Sequence, residues 1–385
     1  MTKNFKMVAK TLYGLEEILA EELRQLGASN IEIGVRNVSF EGDTGFMYKA
    51  NLCCRTAIKI LKPITAFNVF KEEDLYQKVY NINWQDYMSK NGSLAVDATV
   101  FSDYFTHSQY IALKTKDAIV DRFRDMEGER PNVDLDHPTL RINIHIDRNI
   151  CTVSLDSSGQ SLHKRGYKVA NTLAPINEVL AAGLILKAGW SGQCDFIDPM
   201  CGGGTLLTEA AMIACNIPAN LNKEEFGFET WPDFDVNLYE VIEEAALKKI
   251  KEFHFKIVGF DNDDITLKKA QENIVSANLS EFITLEHCDF FETEKGRERQ
   301  LFLVFNPPYD ERISIDNVER FYANIGNTLK RSYPDSQAWM ITSNLEALKH
   351  VGLRPSRKIK LFNGKLESKL VQYEMYSGSK KAKKQ

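Results

Sequence analysis

The stretch LFLVFNPPYDER, Leu301 to Arg312, sets an amide, two proline rings and a phenol at the end of an apolar run. Two prolines remove two backbone donors and fix two φ angles. Each also pushes the residue before it into extended backbone. Asn306 is therefore held on a stiff segment just past a strand, and Tyr309 follows where its ring can stand over whatever Asn306 holds. The same four residues also read as a turn, since Asn and Pro are turn formers.

Three other strand ends carry groups of the same kind. CDFID is followed by PMCGGGTLLTEAA, in which Gly202, Gly203 and Gly204, flanked by Cys201 and Thr205, let the backbone pass close to a ligand. Asp198 ends that strand, at the carboxyl edge where open α/β sheets bind ligands. The spacing is neither the P-loop pattern nor GxGxxG. A structural tight turn explains the glycines equally well. VGFDND places Asp261, with Asn262 beside it, where an acid binds a ribose diol in dinucleotide folds. HCDF places Asp289 where it can accept from an adenine amino group, with Phe290 packing on the ring. Each acid alone also reads as a cap on the next helix. Together the four strand ends put polar groups along one sheet edge.

The elements that must position them form two patterns. Up to about residue 160, helices and short antiparallel strands mix as in α+β proteins. TLYGLEEILAEELRQLG has helical spacing and stops at Gly27. IEIGVRNVSFEG is a hairpin turning at Arg36-Asn37, and DTGFMYKANLCCRTAIKILK is expected to be one helix. SLAVDATVF reads as a strand, and SQYIALKTKDAIVDRFRDM as a helix with Ser108 at its N-cap. TLRINIHIDRNICTVSLDSSG is a hairpin with Ile142, Ile144 and Ile146 on one face. After LHKRGYK, strands alternate with helices, beginning with a helix that has Pro175 in its first turn. Alternation of this kind makes a doubly wound parallel sheet. RKIKLFNGKLESKLVQYEMY closes the chain as an antiparallel hairpin joined at Asn363-Gly364, which the wholly parallel dehydrogenase sheet lacks.

The chain has 385 residues, enough for two or three domains. No apolar run is long enough for a membrane span, and the N-terminus lacks the apolar core of a secretory signal. Seven cysteines without a CxxC pair fit a reducing, cytoplasmic compartment. Adjacent Cys53 and Cys54 suit neither a disulfide nor zinc, and no Cys/His cluster predicts a metal. A net charge of -5 argues mildly against nucleic acid, although local patches outweigh the sum. The basic tail KKAKKQ reads as a solvated, disordered end.

The glycine loop, the two acids and NPPY, in this order, resemble a class I S-adenosylmethionine-dependent methyltransferase acting on an exocyclic or amide nitrogen. TLYGLEEILAEELRQLG, LHKRGYK…APINEVLAAGLILKAGW, FIDPMCGGGTLLTEAAMIACNIP and LFNGKLESKLVQYEM are further similar to the THUMP-containing RNA guanine-N2 methyltransferases of the ribosomal RNA large subunit L type. The resemblance covers nearly the whole chain. It implies a ferredoxin-like domain over 1–60, a THUMP RNA-binding domain over 61–160, a methyltransferase domain over 161–378 and a tail over 379–385. S-adenosylmethionine is the implied cofactor and S-adenosylhomocysteine its product, with no metal.

The implied substrate is 23S rRNA, free or in a pre-50S particle, and the product is N2-methylguanosine. A free guanine nucleotide fits the same target-base or RNA site. The side-chain oxygen of Asn306 and the Pro307 carbonyl are then the acceptors for the two amino hydrogens, Pro308 stiffens the loop, and Tyr309 stacks on the base. Candidate RNA contacts are Lys114, Lys116, Arg122 and Arg124 on the helix, and Arg141 and Arg148 on the hairpin.

Two departures accompany the resemblance. Asp310 stands where the family usually has glycine, and either restricts the loop or pairs with Arg312. One catalytic domain is present where long fused members carry two, so one modification is expected. A tRNA guanine-N2 methyltransferase of the same architecture, a protein glutamine methyltransferase and a non-catalytic RNA-binding protein are the alternatives.

Overall fold

Every residue of Leu301–Phe305 is buried, the pattern of a strand covered on both faces. This strand lies inside one of two sheets. The computed structural model describes residues 3–170, 172, 175–296, 300–308 and 315–376. Tyr309, Asp310, Arg312 and the basic tail lie outside the described residues. Contacts divide the chain into two units. One holds residues up to Thr11, Leu19–Leu162 and Lys223–Ala245; the other holds Leu12–Ile18, His163–Asn222 and the chain from Ala246.

The first unit is built on eight strands: β1 (Phe5–Lys10), β2 (Ser29–Gly34), β3 (Asn37–Gly42), β4 (Lys59–Asn68), β5 (Ser93–Phe101), β6 (Asn132–Val133), β7 (Leu140–Asp147) and β8 (Ile150–Asp156). Their order is β2-β3-β1-β4-β8-β7-β5-β6, so one continuous sheet runs through the N-terminal region and the region that follows it. The chain's first helices are α1 (Glu16–Leu26), α2 (Thr44–Cys53), α3 (Glu72–Tyr80) and α4 (Ser108–Glu127).

A late segment returns to this unit. Within Lys223–Ala245, Phe228 stacks on Tyr48 of α2 at 4.3 Å between ring centroids, and Phe226 stacks on Phe228 at 5.2 Å. The Tyr48 hydroxyl accepts the Asp235 N–H at 3.1 Å. Aromatic pairs of this kind add about 0.5–1.5 kcal/mol beyond area burial.

The second unit holds a seven-stranded sheet of β9 (Asp195–Asp198), β10 (Ile257–Asp261), β11 (Ile283–His287), β12 (Leu301–Phe305), β13 (Ser336–Thr342), β14 (Arg357–Asn363) and β15 (Leu366–Glu374). The order is β11-β10-β9-β12-β13-β15-β14. The first five are parallel; β15 runs antiparallel to β13, and β14 antiparallel to β15. The later helices are α5 (Glu178–Ala188), α6 (Thr205–Ala214), α7 (Val236–Leu247), α8 (Asp264–Ser276) and α9 (Ile315–Ser332). Tyr322 and Ile325 of α9 pack with Leu303, Phe305 and Met340 in one apolar core. The doubly wound sheet with a closing antiparallel hairpin is as the sequence leads one to expect.

Several local expectations are corrected. The helix expected over residues 43–62 stops at Cys53, and Cys54 is extended at φ -66° and ψ 124°. Lys59–Asn68 is instead a strand laddered to β1 and β8; its bonds to two neighbours outweigh helical spacing. Ser108 is the first helical residue rather than the cap, and His107 occupies the cap position without a side-chain bond. Asn177, not Pro175, starts α5, because its side chain accepts the Leu180 N–H at 3.2 Å. The first hairpin turns at Val35-Arg36, since Gly34 pairs with Asn37. The last turns at Gly364-Lys365, one residue later than expected, since Asn363 pairs with Leu366. Strand β1, lying between β3 and β4, has no counterpart among the expected elements.

Candidate active site at the carboxyl edge of the parallel sheet

Strand β9 has β10 on one side and β12 on the other, in parallel register through Gly259↔Asp198 and Leu303↔Ile197. The sheet winds outward in both directions from this pair, which makes the β9/β12 edge a topological switch point. The glycine loop follows β9, and Asn306-Pro307-Pro308 follows β12. Four strand ends that are spread over about 110 residues of sequence thus fall on four neighbouring strands, β11, β10, β9 and β12. Asn306 and Pro308 are half-buried and Pro307 is buried.

The loop between β9 and α6 is tied down by backbone and carboxylate bonds. The Cys201 N–H donates to the Phe260 carbonyl at 2.8 Å, and the Gly204 N–H to the Cys201 carbonyl at 2.9 Å. Gly202 and Gly204 have φ of 53° and 77°, left-handed values that favour glycine, and Gly204 is the N-cap residue of α6. Asp261 Oδ2 accepts the Gly202 N–H at 2.9 Å, while its Oδ1 accepts the Asp263 N–H at 3.1 Å. One carboxylate therefore fixes the loop after β9 and the start of the turn after β10. Each of its oxygens retains a lone pair for a further donor.

Asp198 is 1% exposed, and its Oδ1 accepts the Met200 N–H at 3.2 Å. Burial holds its carboxyl well above the usual carboxylate range; the Asp261 charge pushes the same way, and the Met200 N–H opposes both. Burial also pushes the Cys201 thiol well up, helped by Asp198 and Asp261. Cys201 is thus a neutral thiol at neutral pH and unsuited to nucleophilic work. Thr205 opens α6 and is buried, as are Thr208 and Glu209 on the same helix. Behind it, Arg165 pairs with Glu209 at 3.3 Å and donates to Asn220 at 2.9 Å, all three fully or nearly buried.

Asp289 caps the short turn Phe290–Glu292 by accepting the Phe291 N–H at 2.9 Å, the capping role that its place after a strand also allows. Asn262 sits beside Asp261, its carbonyl 3.2 Å from His287 Nε2. Phe290 departs from the expectation of an open stacking face. It is 2% exposed, with its ring against Phe291, Phe305 and Tyr333. Among the described residues no group of three or more His, Cys, Asp or Glu is arranged to hold a metal ion. No helix among them is long and apolar enough to cross a membrane.

The six candidate RNA-contacting cations separate into four places in the first unit. Lys114, Lys116 and Arg124 line a cavity of about 510 Å³ on α4, together with Arg130, Tyr76, Asp117 and Asp121. Lys114 Nζ lies 5.1 Å from the Tyr76 ring centroid, Lys116 pairs with Asp117 at 2.6 Å, and Arg124 with Asp121 at 2.9 Å. Tyr76 donates its hydroxyl to Asp121 at 2.8 Å; burial, then that bond, pushes its pKa up to about 12. Arg122 stands over the Tyr80 ring instead. Arg141 lies on the sheet, 3.6 Å from Asp97, and Arg148 is in the β7–β8 turn at φ 54°. Sequence reasoning misses Arg130, which follows α4 and lies 3.7 Å from Asp121. It also misses Asn273, a polar residue on the buried stripe of α8. That placement is its only sequence signal.

Comparison with known proteins is consistent along the chain. Residues 165–372 match the RMKL-like methyltransferase domain, 70–156 the THUMP domain and 6–61 the RlmL ferredoxin-like domain. "Ribosomal RNA large subunit methyltransferase K/L" of Syntrophotalea carbinolica is 36% identical over 97% of this chain and 54% of its own length. The chain spans about half the length of most curated relatives it matches. A Synechocystis protein named "Putative RNA methyltransferase slr0064" is 35% identical over 94% of this chain and 95% of its own. The crystal structure of "a putative methyltransferase complexed with SAH", that is, with S-adenosylhomocysteine, superposes with a TM-score of 0.86 at 28% identity. It covers 98% of this chain and 100% of that one.

Proposed function

The chain belongs to the RMKL-like methyltransferase family, and on that premise we propose that it is an S-adenosylmethionine-dependent RNA methyltransferase forming N2-methylguanosine in 23S rRNA. The observation that carries this reading is the placement of the glycine loop and Asn306-Pro307-Pro308 on the adjacent ends of β9 and β12.

The residues present fit the cofactor. S-adenosylmethionine, when bound, supplies an electrophilic methyl group on a sulfonium. Asp261 holds lone pairs in reserve for a ribose diol after fixing Gly202 and Asp263. The turn at Gly202–Gly204, between Cys201 and Thr205, presents backbone rather than side chains to the methionine end. Asp198 closes the floor of the site, and Asn262 and Asp289 border the adenine end, while Phe290 is packed in the apolar core beneath them. The Asp289 role rests on its position after β11, since its Oδ1 already caps a turn.

The Asn306 Oδ1 and the Pro307 carbonyl then accept the two hydrogens of an exocyclic amino group. Conjugation to the purine ring makes that nitrogen a poor nucleophile. Two fixed acceptors draw it towards tetrahedral geometry and aim its lone pair, and they stabilise the positive charge that develops on it. A strong base is not required, because the nitrogen becomes acidic as it becomes cationic. Pro307 and Pro308 keep both acceptors in one geometry. A guanine in folded RNA has to be swung out to reach them, and the stacking partner assigned to it is Tyr309. The α4 groove and its neighbouring cations track phosphates. Such a substrate places the protein in the cytoplasm.

The test is transfer of labelled methyl from S-adenosylmethionine to 23S rRNA taken from a strain lacking the gene. Label in 23S rRNA supports the reading. Label in tRNA alone moves the assignment to the tRNA enzymes of this architecture, and label in neither RNA overturns it.

A further inference from the structure

We infer that Asn273 is a positioning residue for the cofactor site, clamping the middle of the glycine loop to the backbone of Val169 and Ala170. Asn273 lies on α8 and is 1% exposed. Its Oδ1 accepts the N–H groups of Val169 and Ala170, both at 2.9 Å. Its Nδ2 donates to the carbonyls of Ala170 and Gly203, both at 3.1 Å. Two lone pairs and two hydrogens are the whole capacity of a side-chain amide, and all four are used. No other natural side chain of this size supplies two donors and two acceptors from one planar group.

What the four bonds join is the reason for assigning a role beyond packing. Residues 169–170, 203 and 273 are distant in sequence and belong to no common ladder. Holding the Gly203 carbonyl fixes the plane of the Gly203–Gly204 peptide, whose N–H completes the turn onto Cys201. The loop is also closely enclosed. A Cβ added to Gly203 would come within 3.2 Å of Thr172, and one added to Gly204 within 3.3 Å of Ala270. The glycine turn is thus enclosed by Thr172 on one side and α8 on the other, with the Asn273 amide also reaching Val169 and Ala170. An ordered turn binds without first losing backbone freedom, which is how preorganisation raises affinity. Asn273 touches neither cofactor nor substrate; it acts through the loop.

The inference rests on the glycine loop being the cofactor site, so the test separates the two. Asn273→Asp keeps both acceptors but sets a carboxylate against two carbonyls, and Asn273→Ser removes most of the clamp. In either variant KM for S-adenosylmethionine should rise roughly tenfold or more, the equivalent of one to two lost hydrogen bonds. kcat at saturating cofactor should stay within about threefold of the parent, and KM for RNA should not move. A change confined to folding would not divide the constants in this way. Unchanged KM for S-adenosylmethionine in a folded variant overturns the inference while leaving the methyltransferase reading intact.

A second measurement uses the parent alone and holds even if both variants fail to fold. Hydrogen exchange at the Val169 and Ala170 amides should slow when S-adenosylhomocysteine is added, because the ligand steadies the loop to which they are clamped. Exchange there that is indifferent to saturating S-adenosylhomocysteine overturns the inference. A parent that binds no S-adenosylhomocysteine overturns the cofactor reading and the inference with it.

Discussion

The two units treat their charged candidates in opposite ways. In the second, three carboxylates and an amide arrive from four neighbouring strand ends, and Asp198 and Asp261 are tied to backbone N–H groups of one loop. In the first, six cations fall in four places, and most lie against a local carboxylate or ring: Lys116 on Asp117, Arg124 on Asp121, Arg141 near Asp97, Arg122 over Tyr80. Convergence from a sheet edge makes a site whose acids are held in place by backbone N–H groups of its own loops. Dispersal over a helix and a hairpin makes a surface whose ion pairs are already half satisfied and exchange readily with water and salt. The first arrangement suits transition-state work, and the second suits weak, salt-sensitive contact with a large polyanion.

Breaking the convergent site should cost most. Asn306→Ala should lower kcat by about a hundred- to thousand-fold, on the order of 2.7–4 kcal/mol, with S-adenosylhomocysteine affinity unchanged. Calorimetry and steady-state rates on the same preparation check both halves. Asp261→Ala should weaken S-adenosylhomocysteine binding by roughly ten- to a hundredfold, because charged hydrogen bonds contribute about 1.5–3 kcal/mol and the Gly202 anchor goes with them. Equal affinity for variant and parent would remove Asp261 from the site.

How far the sequence reaches follows the same division. The strand-end groups are legible because each sits at a fixed offset from an apolar run, and an α/β alternation leaves few ways to order the strands. Even so, it does not show that β9 lies between β10 and β12, and that neighbour relation is what brings Asn306 to the glycine loop. Helical spacing predicts α4 but not its charges' partners, since Asp117 and Asp121 read as ordinary solvated residues. Lys59–Lys62 misleads because it continues the helical spacing of the residues before it, and only the ladders of β4 to β1 and β8 decide. Asn273 is invisible because its partners are backbone groups between 70 and 104 residues away.

Smaller effects sharpen the contrast from the other side. Lys114→Ala combined with Arg130→Ala should weaken RNA binding a few-fold. The slope of log affinity on log salt should also become shallower, by about 0.7 for each phosphate no longer neutralised. A filter-binding titration over salt concentration reads it, and an unchanged slope would take the α4 groove out of the RNA path.

Asp198→Asn should raise the melting temperature of the ligand-free protein at pH 8, by about 2–4 °C per kcal/mol recovered. The sign follows from its raised carboxyl: the folded state binds the proton more readily than the unfolded one. The carboxyl's contribution to stability is therefore greatest below the unfolded pKa of about 3.9 and is lost as pH rises through the raised folded value. The gain should shrink by pH 5; a gain that does not depend on pH would mean that charge burial is not its cause.

On the function proposed above, two acceptors at the end of β12 present an exocyclic guanine nitrogen to the site after β9. Mass spectrometry of nucleosides from 23S rRNA methylated by the purified protein tests it most directly. N2-methylguanosine is expected with the parent, and its loss with Asn306→Ala at saturating cofactor. A methylated adenine, or N2-methylguanosine formed at the parental rate by Asn306→Ala, would contradict it.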